Sequence, residues 1–132
     1  MSDFKIVIDS CGELLEQWKD DPRYESVPLI LTVGGEDIID DASFDQKSFL
    51  AKVAACPECP KSSCPSPEKY MQAFETSAEH VYAVTLSAEL SGSYNSAVLG
   101  KKLALEEHPE KKIHIFNSRS ASVGETLIAL KI

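Results

Sequence analysis

The chain has 132 residues, 43% of them hydrophobic, with five Phe, four Tyr and one Trp, enough for the core of one ordinary domain. Thirteen basic residues against 21 acidic ones leave a net charge of −8, which excludes a nucleic-acid partner, because that affinity rests on Lys and Arg neutralising phosphates. No apolar run approaches the ~20 residues of a membrane span, and the opening Met1-Ser2-Asp3-Phe4-Lys5-Ile6-Val7-Ile8-Asp9 lacks the layout of a signal peptide, so a cytoplasmic protein is expected.

Phe4 to Ile8 predicts a first strand, stopped by the polar turn Asp9-Ser10-Cys11-Gly12 before a short helical stretch in which Leu14, Leu15 and Trp18 share a face. Val27 to Val33 reads as a strand, Gly34-Gly35 as a tight turn and Glu36 to Ile39 as the returning strand of a short β-hairpin. Ser43 and Gln46 form a capping-box pattern, and Phe49, Leu50, Val53 and Ala54 recur at helical spacing, so a helix is expected from about Phe44 to Ala54.

From Cys56 to Pro67, Pro57, Pro60, Pro65 and Pro67 alternate with serines and predict an ordered loop. Ser66-Pro67-Glu68 then starts a helix, with serine at the N-cap, proline at the first helical position and an acid in the first turn; Tyr70, Met71, Phe74 and Ala78 supply its apolar face. His80 to Leu86 predicts a strand, Ser87 to Ser93 a turn, and Ala97 to Leu105 a helix closed by His108-Pro109. Lys112 to Phe116 is a further strand, and Asn117-Ser118-Arg119-Ser120 turns into a last helix carrying Leu127, Ile128 and Leu130. Alternation of strands and helices predicts an α/β fold, a mostly parallel sheet with helices on both faces.

Cys56 and Cys59 form a Cys-x-x-Cys pair, with Cys64 close by and Cys11 far upstream. A structural zinc site requires a second pair at matching spacing, which is lacking, so these are read as reduced thiols and neither metal nor cofactor is expected; a thiol-based metal or redox protein is the third reading of the chain.

Small hydroxyl residues crowd the strand ends: Asp9-Ser10, Ser87 to Ser93 and Asn117 to Ser120, with Ser62-Ser63 leading into another helix. In a parallel sheet such loops gather at the carboxyl edge, where helix N-termini offer unpaired N–H groups to an anion. Each serine alone is explained as an N-cap; their repetition points to an anionic guest. Phosphate-loop motifs are absent, and a carboxylate can be held by neutral hydroxyl and amide donors without a cationic clamp. The alternative is a small α/β hydrolase or transferase using a loop serine. Ser66-Pro67-Glu68-Lys69 matches Ser-x-x-Lys, and His80, His108 and His114 are present, but the companion motifs are missing and capping explains Ser66.

Four ordered segments carry a family resemblance. Lys61-Ser62-Ser63-Cys64-Pro65-Ser66-Pro67 resembles the Lys-Thr-Ser-Gln-Pro-Ser-Pro segment of the DegV family, and Val7-Ile8-Asp9-Ser10 its Thr-Asp-Ser strand end. Leu86 to Ala97 resembles Leu-Ser-Ser-Gly-Leu-Ser-Gly-Thr-Tyr-Gln-Ser-Ala, and Asn117 to Gly124 resembles Asp-Ser-Lys-Ser-Ala-Ser-Met-Gly. Differences fall at Ser62, Cys64, Ala88, Glu89 and Asn117. The resemblance implies a non-catalytic, bacterial two-domain protein that holds a long-chain fatty acid for phosphorylation by a separate fatty acid kinase subunit. By motif, Ser62 and Ser91 would bind the carboxylate, with Ser63 and Gly92 beside them and Asp9, Ser10, Ser93 and Ser118 supporting. Residues 1–132 would then be the N-terminal α/β domain, cut short before the lipid-tunnel domain, and its last helix would be left to self-associate.

Overall fold

Ile6, Val7 and Ile8 are consecutive and all buried, as expected for the middle of a sheet covered on both faces. The computed structural model describes residues 3–132; Met1 and Ser2, part of the opening segment read above, lie outside them. In chain order the elements are β1 (Phe4–Asp9), β2 (Tyr24–Val27), β3 (Ile30–Val33), β4 (Glu36–Ile39), α1 (Gln46–Ala55), β5 (Lys61–Ser63), α2 (Pro67–Phe74), β6 (His80–Thr85), α3 (Ser93–Glu107), β7 (Lys112–Asn117) and α4 (Val123–Lys131).

A parallel sheet runs in the order β2-β1-β6-β7, with Ile6 opposite Tyr24 on one side and opposite Tyr82 on the other. Alternation divides its side chains between two cores. Val7, Val81, Ala83, Ile113 and Ile115 pack under α2 and α3 with Tyr70, Phe74 and Ala97. Ile6, Ile8 and Val84 pack on the opposite face against Ala129 of α4 and Trp18. The Trp18 indole stacks on the Tyr24 ring at 4.4 Å between centroids.

A second, antiparallel sheet has the order β4-β3-β5. Gly34 and Gly35 have φ of 57° and 81°, as a tight hairpin turn between β3 and β4 requires, so the hairpin expected from the sequence is present.

Several expectations need correction. The single strand Val27 to Val33 is two strands in different sheets, because Pro28, which lacks an N–H for a ladder, turns the chain from one to the other. The stretch from Cys56 to Pro67 is not all loop: Lys61, Ser62 and Ser63 pair with Thr32, Leu31 and Ile30 as β5. Asp45, not Ser43, caps α1, accepting the Ser48 N–H at 3.2 Å, while Ser43 donates its hydroxyl to Asp41. The short helix around Leu14 is a single 3-10 turn at Glu16–Trp18. In α4, Leu127 and Leu130 are 61% and 51% exposed, as expected of a last helix lacking a partner, whereas Ile128, expected on the same face, packs partly against the core and Glu125, Thr126 and Ala129 turn inward.

The tightest helix contact is at Gly100 of α3, where an added Cβ would lie 2.7 Å from the Pro67 carbonyl oxygen and 2.7 Å from the Tyr70 Cβ of α2. Backbone lies in the way, so the helices must separate to admit a methyl group. Gly100→Ala is expected to lower stability by ~1–3 kcal/mol, read as a fall in the urea midpoint; an unchanged midpoint would show that α2 and α3 are not so closely apposed.

Candidate functional site at the carboxyl edge of the sheet

Asp9 ends β1 and is fully buried. Its Oδ2 accepts the Leu86 N–H at 2.7 Å and the Ser93 hydroxyl at 2.8 Å, and its Oδ1 accepts the Cys11 N–H at 3.2 Å. Ser93 has one hydroxyl proton, directed at Asp9, so the Tyr70 hydroxyl, 2.5 Å from Ser93 Oγ, donates in its turn. Burial, followed by the charge of Asp9, pushes the Tyr70 hydroxyl well above its ordinary range and keeps it a donor. Asp9 and Ser93 are thus internal struts with no surface to offer a ligand.

These struts hold the turn between β6 and α3 at both ends, Leu86 at one and Ser93 at the other. Within the turn the Ser91 Oγ accepts the Ser93 N–H at 3.2 Å, and the Ser91 N–H donates to the Ser87 carbonyl at 3.1 Å. Gly92 occupies the N-cap of α3 and supplies no side-chain cap. Ser91 therefore covers the first N–H of the helix, and those of Tyr94 and Asn95 remain for a ligand or solvent. Ser91 is half-buried and Gly92 exposed.

The end of β5 approaches the same helix start. Cys64, directly after Ser63, places its Sγ 3.3 Å from the position of a Cβ at Gly92 and 3.7 Å from Ser96 Oγ. Ser62 and Ser63 are exposed, and their hydroxyls form no hydrogen bond with the described residues. A cleft of about 280 Å³ opens beside them, lined by Pro28, Ile30, Ile39, Asp41, Cys64, Pro65, Ser66 and Lys69. Two adjacent sets of hydroxyl and N–H donors thus face out beside an apolar groove.

The remaining sequence candidates are structural in their contacts. Ser10 Oγ accepts the Leu29 N–H at 2.9 Å and fixes the corner between the two sheets. Ser118 Oγ accepts the Ser120 N–H at 3.1 Å and closes its own turn. Asn117 Oδ1 accepts the Ala88 N–H at 3.1 Å, tying the β7 end to the β6 turn, and Glu89 is exposed. Ser66 Oγ accepts the Lys69 N–H at 3.3 Å, the N-cap role expected from the sequence. The three histidines lie elsewhere: His80 opens β6, His108 follows α3 and His114 is within β7. Cys56 faces Gly34 while Cys64 faces Gly92, and among the described residues no three His, Cys, Asp or Glu side chains group as metal ligands.

Glu125, which sequence reasoning missed, lies behind Asp9. It is fully buried, neither carboxyl oxygen reaches a hydrogen-bond partner among the described residues, and Oε2 would stand 3.0 Å from a Cβ at Gly12. Burial first, then the charge of Asp9, push its carboxyl up to about 9. Ser122, whose carbonyl accepts the Glu125 N–H at 3.1 Å, has φ 55° and ψ −125°, a region that costs a non-glycine residue ~1–3 kcal/mol. The signal in the sequence was a glutamate three and four residues before Ile128 and Ala129, on the side of α4 that packs inward.

Parallel sheet, helices on both faces and polar loops gathered at one edge define an α/β domain of the kind that binds at the carboxyl ends of its strands. Residues 3–132 match the family model described as "Uncharacterised protein, DegV family". A DegV domain-containing protein of Streptococcus gordonii is 42% identical over 132 residues, 98% of this chain and 46% of that protein. A DegV family protein from Ruminococcus gnavus, solved with vaccenic acid, superposes with a TM-score of 0.94 at 56% identity, covering 98% of this chain and 46% of its own. The fatty acid kinase B3 protein of Streptococcus pneumoniae, loaded with linoleic acid, gives 0.84 at 40% identity, with 92% and 43% covered. The chain belongs to the DegV family, and it spans about half the length of these relatives.

Glu125 makes stability depend on pH. Its carboxyl loses the proton near 9 when folded and near the ordinary 4.5 when unfolded, so between these values the folded state holds the extra proton. Its contribution to stability is complete below about 4.5 and is lost as pH rises towards 9. Glu125→Gln is expected to flatten this slope and to be ~1–3 kcal/mol more stable than the parent at pH 8. Parallel urea midpoints for the two proteins from pH 5 to 9 would contradict the protonated, buried carboxyl.

Proposed function

We propose that this chain is the carboxylate-binding half of a fatty-acid-binding protein, which holds a long-chain fatty acid in the cytoplasm for a separate kinase subunit and performs no catalysis itself. The observation that carries this reading is the approach of Cys64, which directly follows the exposed Ser62 and Ser63 of β5, to Gly92 and Ser96 at the start of α3. Ser62 and Ser91 donate to the two carboxylate oxygens, and Ser63 and Gly92 add donors beside them. Neutral donors and a helix N-terminus suit a single negative charge. The apolar groove containing Ile30 and Ile39 suits the first methylenes of the tail. The fatty acids bound by the Ruminococcus and Streptococcus relatives support the same class of ligand, and the kinase named for the pneumococcal protein supports the partner.

A hydrolase reading has less to support it, because Ser66 is engaged as an N-cap and the histidines lie away from the serine loops. In this reading the rest of the family's length supplies the lipid tunnel and covers Val123, Leu127 and Leu130. Without that cover the 132-residue chain pairs with itself. Sedimentation equilibrium is then expected to show species above 14.5 kDa, and a single 14.5 kDa species would contradict the pairing.

Replacing Ser62 and Ser91 together by alanine, in the protein carrying this chain, is expected to weaken oleate binding without lowering the melting temperature. Each lost bond to the charged head group is worth about 1.5–3 kcal/mol. Equal oleate affinity in the parent and the double variant would remove both serines from the head-group site.

A further inference from the structure

Asp9 and Glu125 form a buried pair of carboxyl groups with no cation beside them among the described residues. The titratable groups that face Glu125 are Asp9 from β1, Cys11 from the turn after it and, beyond these, Tyr70 from α2. The β6 side chain packed in the same cluster, Val84, is apolar. Neither Tyr70 nor Cys11 brings positive charge, and burial pushes both upward from their ordinary values. Two carboxylates cannot both remain charged in such surroundings, so one holds a proton. Geometry decides which. Asp9 receives three donors and must accept from all of them, whereas Glu125 meets no backbone or hydroxyl donor among the described residues, only Asp9 and the weakly donating Cys11 thiol. The proton therefore belongs to Glu125.

We propose that Glu125, on α4, is a positioning residue for the turn between β6 and α3: as an uncharged acid it allows Asp9 to hold Leu86 and Ser93 together, and so fixes Ser91 and Gly92 between them. Glu125 itself touches no ligand. Removal of its proton places a second negative charge against Asp9 inside the core. Relief requires either α4 to lift away, with strained Ser122 as its first point of release, or Asp9 to let go of the turn. Either movement loosens the Ser87–Ser93 segment. The inference rests on the proposed carboxylate site only for its consequence in binding, since the bracing of the turn is independent of any ligand.

The test is amide hydrogen exchange of Leu86 to Ser93 in the ligand-free protein, expressed as protection factors from pH 7 to 10. The Leu86 N–H donates directly to Asp9 and is the closest reporter. Protection is expected to fall about tenfold or more across this range in the parent, and less than about twofold in Glu125→Gln, which keeps the shape without the charge. Glu125→Met gives a second uncharged variant of similar length, so the comparison does not depend on the amide being accommodated. Cys11→Ser keeps Glu125 and is expected to retain the full fall. A parallel decline in the parent and both Glu125 variants, or a decline removed by Cys11→Ser alone, overturns the proposal. Oleate affinity measured over the same range separates the two readings. The acyl carboxylate is ionised throughout, so affinity should fall with protection in the parent and stay level in Glu125→Gln. Absence of oleate binding at every pH, with the exchange pattern as expected, would remove the ligand and leave the positioning role intact.

Discussion

Asp9 stands fully buried at the end of the central strand, and donors from its own turn, from the end of β6 and from the start of α3 converge on its two oxygens. A buried carboxylate is tolerated only when such bonds replace its lost water, and removal of one partner leaves a penalty of about 1–3 kcal/mol. That requirement sets the geometry of the whole carboxyl edge. Because Leu86 and Ser93 must both reach Asp9, the six residues between them are confined to a short arch, and Ser91 and Gly92 are presented at its outer side. Tyr70 extends the same chain of bonds into α2, so the helix that follows β5 is tied to the arch as well.

The second sheet supplies what the parallel sheet lacks. Its hairpin is pinned to the main body through Ser10, whose hydroxyl holds the Leu29 N–H just after Pro28 has turned the chain. β5 adds to this hairpin rather than to the main sheet, which leaves Ser62 and Ser63 exposed and brings the following Cys64 against Gly92 at the start of α3. Hydroxyls on this strand edge are paid for by few internal contacts and are left free. Ile30 and Ile39 stay largely exposed in the adjoining cleft, and α1 buries none of its residues among those described. Some apolar surface, Ile30 and Ile39 with Pro28 and Pro65, therefore lines the cleft beside Cys64, an arrangement that suits a ligand with a charged head and an apolar tail.

Much of this was legible in the residues. The β-branched runs at Phe4, His80 and Lys112, the Ser66-Pro67 helix start and the Gly34-Gly35 turn each carry a local physical signal, and each forms as read. The failures share a cause, which is dependence on partners distant in sequence. β5 is polar and flanked by prolines, and only its pairing with β3 makes it a strand. The inward face of α4 is set by Thr126, whose hydroxyl donates to the Glu13 carbonyl at 2.8 Å and accepts the Glu13 N–H at 3.0 Å, and by Glu125 behind Asp9. Leu127 and Leu130 were legible as an exposed face in need of a partner, but the buried Glu125 was not. Serine repetition marked the strand-end turns, yet it could not separate Ser10, Ser93 and Ser118, which bond internally, from the exposed Ser62 and the half-buried Ser91.

The proposed function requires donors from β5 and from the start of α3 to share one carboxylate. A crystal structure of the protein carrying this chain, grown with oleate, addresses it directly. Carboxylate oxygens are expected within hydrogen-bonding distance, about 2.5–3.0 Å, of the Ser62 and Ser91 hydroxyls, with the first methylenes of the tail leaving past Ile30 and Ile39. Oleate bound with its carboxylate away from both serines, or with its tail against them, would contradict it.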